Sequence, residues 1–241
     1  MVDVMNRLDI FVATHPYLIC NLLGLIPLSL LYFGLPKQRA NIWMAGLIWV
    51  PLMPLAIFHE DYWNPVRLGN LRWGVEDALY LFNVTALAWA VTAGFVSLRF
   101  RLYVPKLIDW RRLAELISLG GSLTFILFQL SLSGMTIQLI VNIVIALWLI
   151  MRCWSCWPLA VSGILLLPAI FLIELKFWLA IWPDFINAWY PTEPWGSLIA
   201  GIPLGEIAFY LTSAIVFPLS VAFCRGAVVL PKDRIEHTEE P

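Results

Sequence analysis

The stretch "RWGVEDALYLFNVTALAWAVTAGFVSL", Arg72–Leu98, decides the class of this protein. After Glu76 and Asp77 no charged residue appears until Arg99, a run as long as the ~20 apolar residues that cross a bilayer core. Much later "GIPLGEIAFYL", Gly201–Leu211, opens a second such run with Glu206. Carboxylates are costly against lipid, so an acid at the head of two apolar segments needs a reason.

The rest of the chain agrees with the membrane reading. It is 61% hydrophobic and only 13% charged over 241 residues, with a mean hydropathy of +0.83. Ordinary soluble domains carry about 25% charged residues, so a soluble domain is excluded. The 13 Trp suit a protein with two membrane interfaces to anchor. A net charge of −1 and the lack of a basic patch interleaved with aromatics give no sign of a nucleic-acid partner. Cys20 and Cys224 lie in or beside apolar segments. Cys153 and Cys156 form a lone C-x-x-C with no second pair or histidine cluster to complete a zinc site. No basic leader or A-x-A-like cleavage site precedes the first apolar segment, which is expected to be retained as a helix.

Windows of about 20 residues predict about seven transmembrane helices. They lie near Pro16–Phe33, Asn41–Phe58 (kinked at Pro51 and Pro54), Val75–Leu98, Leu113–Leu132, Met135–Met151, Trp157–Trp182 and Leu198–Phe223. The tail "PKDRIEHTEEP" reads as polar and disordered. Basic residues cluster on one side: Lys37, Arg39, Arg99, Arg101, Lys106, Arg111, Arg112, Arg152, Arg225, Lys232 and Arg234. Only Arg7, Arg67 and Arg72 fall on the other. Cytoplasmic loops collect Lys and Arg. The expectation is therefore an amino terminus outside and a carboxyl terminus in the cytoplasm, in a bacterial inner membrane. The third and seventh helices then present their acids to the outer face.

That parity suggests an internal repeat. Aligning Gly74 with Pro203 also aligns Asp77 with Glu206, Tyr80 with Phe209 and Leu81 with Tyr210. Each motif follows a long aromatic loop, "FHEDYWNPVRLGNLRW" or "WPDFINAWYPTEPWG". The expected fold is an all-α integral membrane protein with two parallel three-helix repeats joined by a connector helix. Residues 1–98 form the first half, 99–133 the basic loop and connector, 134–224 the second half and 225–241 the tail.

An aspartate followed by aromatics in "EDYW", an acidic motif opening the third helix and "IPLGE" opening the seventh together resemble the lycopene cyclase domain family. The likeness spans essentially the whole chain, as a fused pair of halves. The family motif is a proline, any residue, two acids and a following aromatic, once per half. Here Gly74 replaces the first proline while Glu76 and Asp77 keep both acids. Pro203 is kept, but Gly205 replaces the first acid of the second motif, leaving Glu206.

The resemblance implies cyclisation of the end of lycopene, an isomerisation with no net redox change and no redox cofactor. A proton adds to the terminal double bond, a neighbouring alkene attacks the cation, and a proton is lost. Protonating an alkene requires a carboxylic acid kept neutral and dry, which apolar surroundings and a second carboxylate can provide. Glu76, Asp77 and Glu206 are the catalytic candidates, with Asp61 added by its match to a family position. Trp63, Trp73, Tyr80, Phe209 and Tyr210 are placed to bind substrate and offer π-faces to the cation. No metal ligand set is expected, and the partners are a long polyene or isoprenoid and membrane lipid. Self-association into a homo-oligomer is left open.

Rival readings remain beside this one. Acids in a first helical turn also interact favourably with the helix dipole, so all three could be helix starts. Glu174 and Lys176 lie deep in the sixth helix, where charges are candidates for function, yet two residues apart they do not face each other. His15 and His59 fit interfacial packing. A retinal photoreceptor would need a lysine in the seventh helix, which has none, and "HED" and "VED" are too sparse for a magnesium-dependent prenyltransferase. A proton-coupled transporter and a non-catalytic carotenoid or isoprenoid carrier stay open.

Overall fold

The computed structural model describes residues 9–52, 60–190 and 194–232. Seven helices longer than ten residues carry the fold: α1 (Pro16–Gly34), α2 (Arg39–Trp49), α3 (Val75–Arg99), α4 (Trp110–Gln129), α5 (Gly134–Arg152), α6 (Trp157–Ile181) and α7 (Leu204–Arg225). Their starts follow local chemistry. Pro16 occupies the first turn of α1, where a missing N–H costs nothing. Asp109 accepts from the Arg111 and Arg112 amides to cap α4, and Ser133 accepts from the Thr136 amide to cap α5. α7 ends at Gly226, whose left-handed φ of 61° lets its amide and the next turn back onto the helix.

Five of these helices (α1, α3, α5, α6 with its leading turn, and α7) are long and apolar enough to cross a membrane. The seven expected spans are thus met in part. The α-helical stretch of α2 is 11 residues, about 16 Å at the usual helical rise, short of a ~30 Å core. Length suffices in α4, but it opens with Arg111, Arg112 and Glu115. The second helix was expected to reach Phe58. Its α-helix runs to Trp49 and passes into 3₁₀ geometry over residues 50–52, where Pro51 has no N–H to continue the ladder. Pro54–Phe58 and His59 lie outside the described residues, as does the tail from residue 233.

The seventh helix was expected from Leu198 and begins six residues later. Ser197–Pro203 folds instead as a tight hairpin, strand β2 (Leu198–Ile199) pairing with β3 (Ile202–Pro203). Ala200 and Gly201 at its tip both have positive φ, 51° and 76°, a backbone no helix accommodates. A second unexpected pairing joins β1 (Phe100–Tyr103), just after α3, to β4 (Val228–Pro231), just after α7.

Packing centres on α3 and α7. Helices α1 and α2 lie on α3, α5 and α6 lie on α7, and α3 and α7 touch each other. Each also crosses to the other group, α3 to α6 and α7 to α2, while α4 lies against α5 and α7. Close approach depends on small side chains. Ala86, Ala88, Ala90 and Ala93 on α3 are all fully buried. A Cβ on Gly163 of α6 would sit 2.0 Å from the Ala214 carbonyl oxygen of α7. The outward faces carry large apolar residues such as Leu30, Phe125, Leu147, Leu165 and Ile173, as suits contact with acyl chains.

Candidate active-site cavity

A cavity of ≈ 260 Å³ opens between these helices, lined by residues of α1 to α7 and of the loops before α3 and α7. Along α7 it runs from Glu206 to Phe217, about 16 Å at 1.5 Å per residue. Its walls are mostly aromatic and aliphatic. One end is roofed by the two aromatic loops, which are laced together by backbone. The Asn64 amide donates to the Ala188 carbonyl at 2.8 Å, and the Tyr190 amide to the Tyr62 carbonyl at 2.9 Å. Trp63 and Trp189 lie against each other with ring centroids 4.2 Å apart and planes tilted by 47°, and Phe185 packs edge-on to both.

The predicted acids fall into different environments. Asp77 lines the cavity and is buried, but every lone pair is engaged. Arg67 donates to it through Nε (2.8 Å to Oδ2) and Nη2 (3.1 Å to Oδ1). The Gly74 amide donates at 2.8 Å and the Tyr17 hydroxyl at 3.2 Å. Proline is excluded at position 74, because it would lack the N–H that Asp77 accepts. Glu76 is fully buried but does not line the cavity. One oxygen accepts from the Leu68 amide at 2.7 Å, and the other is without a partner. Asp61 is exposed and accepts from the Gly134 amide at 3.0 Å, tying the first loop to the start of α5.

Glu206 is the exception. It lines the cavity, is buried at 9% exposure, and makes no ion pair among the described residues. The Trp189 indole N–H donates to it at 2.9 Å, and the rings of Tyr62, Tyr80 and Tyr210 gather around it. Burial, then the neighbouring Glu206, pushes the Tyr62 phenol well above its ordinary range, so it stays a neutral hydroxyl. That hydroxyl is buried against the Glu206 carboxyl.

No family model, curated protein or solved structure matches this chain. The chemistry of the cavity therefore rests on its own geometry.

Of the aromatic candidates, Trp63, Tyr80, Phe209 and Tyr210 line the cavity. Trp73 does not; it is exposed at the outer rim. Glu174 lines the cavity, where the Trp178 indole N–H donates to it at 3.4 Å. Lys176 turns away and donates to the Ala200 carbonyl at the hairpin tip, so it is not a counterion for Glu174. His15 sits at the head of α1, stacked on Phe11. Cys153 and Cys156 are buried free thiols, and Cys156 donates to the Ala227 carbonyl. Among the described residues no three His, Cys, Asp or Glu side chains are grouped to hold a metal.

Sequence reading missed Tyr17, Tyr62, Arg67 and Trp189. Tyr62 left a signal as the first aromatic after Asp61, and Trp189 as part of the second aromatic loop. The Tyr62 ring also accounts for Gly205: a Cβ there would lie 2.3 Å from the Tyr62 hydroxyl and 2.5 Å from the ring carbon bearing it. Any side chain at 205, acid or not, collides with Tyr62. Gly205→Ala is expected to destabilise the protein by about 1–3 kcal/mol, the usual range for overpacking. Thermal unfolding in detergent should show a much smaller loss from Gly205→Ala when it is made in a Tyr62→Ala background. Additive losses would show that the two positions do not compete for one space.

Proposed function

We propose that this chain is a membrane-embedded, cofactor-independent cyclase acting on the end of a long polyene, with Glu206 as the proton donor. The observation that carries this reading is the asymmetry between the two motif acids. Asp77 is neutralised by Arg67, whereas Glu206, at the matching helix start, faces the same cavity with no cation and four aromatic side chains around it. In the reaction the Glu206 O–H bond breaks as a C–H bond forms at the terminal alkene carbon. The neighbouring double bond closes on the resulting tertiary cation. A C–H bond beside the new cationic centre then gives its electron pair to a ring double bond, and its proton returns to a carboxylate of the cavity. Electrons balance without an oxidant or reductant. The faces of Tyr80, Trp189, Phe209 and Tyr210 are available to the transient cation, and general acid–base assistance of this kind contributes about 10²–10⁴-fold.

The internal repeat belongs to the same reading. Helices α1 and α2 rest on α3 as α5 and α6 rest on α7, and α3–α6 contact is mirrored by α7–α2. The strand following α3 pairs with the strand following α7, and the two aromatic loops meet at Trp63 and Trp189. Each feature fits two like halves about an axis along the membrane normal, with all seven helices crossing and α4 as connector.

Orientation follows from charge. At the β1–β4 end Arg225 donates to the Pro105 carbonyl, Lys232 to the Leu98 carbonyl and Arg112 to the Phe223 carbonyl. This basic end is cytoplasmic in the proposal, placing Glu206 toward the outside of a bacterial inner membrane. A phosphatase reporter fused after Pro241 should be silent in the periplasm, and an active one would reverse the assignment.

The test of function is expression of this one gene in a lycopene-making bacterial host. Conversion of lycopene to a ring-bearing pigment is expected. Unchanged lycopene that co-purifies with the protein would replace the enzyme by a carotenoid-binding protein.

A further inference from the structure

The middle of α4 carries two adjacent glycines, Gly120 and Gly121, a pair that weakens a helix unless something needs its bare backbone. For Gly120 packing supplies the reason, since a Cβ there would lie 3.3 Å from Ile145 Cδ1 on α5. For Gly121 packing supplies none. A Cβ there would meet no atom within 4 Å beyond its own stretch of helix, and the residue is exposed. Yet Gly121 lines the cavity, as do Ile117 and Thr124 of the same helix. A residue that lines the cavity and also lies open marks a gap in the wall. On the α2 side Trp49 lines the cavity too. Its indole N–H donates to the Ser220 hydroxyl of α7 at 2.9 Å, and its ring packs edge-on to Phe217. Helix α2 packs on α3 and α7, and α4 on α5 and α7. Among the described residues α2 and α4 make at most marginal contact with each other. The cavity opens between them, over α7.

Three helices give the depth of this mouth independently. Trp49 lies ten residues beyond Arg39, Gly121 nine beyond Arg112 and Phe217 eight before Arg225, each about 12–15 Å in from the basic end. That is close to the middle of a ~30 Å hydrocarbon core, so the mouth faces acyl chains and not water. Glu206 lies at the other end of the cavity, about 16 Å from Phe217 along α7. We infer that the gap between α2 and α4, with Gly121 as its sill, is a lateral portal through which a slender, uncharged hydrocarbon chain passes end-first from the bilayer midplane toward Glu206. The inference rests on the proposal that the cavity holds the end of a polyene, and it adds the route by which that end arrives. A charged headgroup is held at the membrane surface by the cost of burying it in hydrocarbon, so the portal selects chains without one. A chain longer than the cavity keeps its far end in the bilayer.

The rate of uptake tests the portal. Full-length protein would be reconstituted into vesicles loaded with lycopene and re-isolated at timed intervals, with total pigment per protein read from visible absorption. Gly121→Trp places an indole in the open space at the sill. It is expected to slow uptake at least about tenfold, a barrier raised by roughly 1.4 kcal/mol. Ser122 is exposed and does not line the cavity, so Ser122→Trp should take up pigment at the wild-type rate. A plug can also be added after folding. Gly121→Cys protein would be purified, then alkylated with an apolar aryl maleimide, and its uptake should slow only after alkylation. Wild-type protein given the same reagent should be unaffected, because its four cysteines are buried. Wild-type uptake by the alkylated protein, or equal slowing by Ser122→Trp, overturns the portal and leaves the polyene cavity standing. Wild-type protein that takes up no pigment overturns both. Because the alkylated protein is folded before it is plugged, a failure of Gly121→Trp to fold cannot obscure the result.

Discussion

Glu206→Gln is expected to reduce cyclisation by at least about 10²-fold, the lower end of what a positioned acid contributes, while polyene binding and folding survive. The amide keeps the shape of the carboxyl and can still take the Trp189 indole N–H on its oxygen. It cannot deliver a proton to an alkene. No cation is stranded by the change, because none faces Glu206 among the described residues. Pigment extracted from a lycopene-making host should therefore show lycopene at wild-type protein levels, with purified variant still carrying bound pigment. Wild-type product from Glu206→Gln would remove this residue from the proton-transfer step. Loss of both product and pigment would instead assign it to binding. Asp61→Asn makes a useful contrast: its carboxylate is exposed and accepts from an amide at the head of α5, so product should be retained.

The sequence made the helices visible because lipid imposes a simple rule. A spanning segment must be long, apolar and hydrogen-bonded to itself, and α1, α3, α5 and α6 begin and end within about two residues of where their apolar runs do. Where apolarity no longer implied helix, reading failed. Leu198 to Leu204 is as apolar as the helix it precedes, yet Ala200 and Gly201 turn it back on itself. The β1–β4 ladder joins Phe100 to Pro231 and Tyr103 to Val228, pairings too distant in sequence for any local pattern to announce.

The site was legible in its residue types and illegible in its partners. Glu76, Asp77 and Glu206 look equivalent as letters at helix starts. In the fold one is tied to the Leu68 amide, one to Arg67 and one to aromatic groups alone. Nothing within a few residues of Asp77 distinguishes Arg67 from Arg72, which pairs instead with Glu60 at the exposed rim, 3.2 Å away. The distinction is tertiary, set by which arginine the loop folds inward. The same holds for Glu174 and Lys176: their spacing showed that they could not pair, and only the hairpin at Ala200 shows where the lysine goes.

Arg67→Leu is expected to destabilise the protein by about 3–5 kcal/mol, the range found when one partner of a buried ion pair is removed and the other charge stays behind. The Arg67 side chain is fully buried, and it holds three parts of the molecule at once. Nε and Nη2 grip Asp77 at the head of α3, Nη1 reaches Asn64 and the Pro65 carbonyl in the first loop, and the guanidinium lies 6.0 Å from the centre of the Tyr17 ring on α1. Leucine fills much of the volume but strands the carboxylate. Adding Asp77→Leu should recover much of the loss, because an apolar pair of similar volume needs no desolvation of charge. Asp77→Asn alone should also destabilise, by weakening a charge-assisted pair to neutral hydrogen bonds. The two motif acids are thus predicted to respond oppositely to the same chemical change: acid to amide at 77 lowers the unfolding midpoint, and acid to amide at 206 lowers turnover. Denaturant or thermal unfolding in detergent, run beside the pigment assay on the same four variants, separates them. An Arg67→Leu protein as stable as wild type would mean that Asp77 is not held by this pair, and the asymmetry that singles out Glu206 as the proton donor would lose its basis.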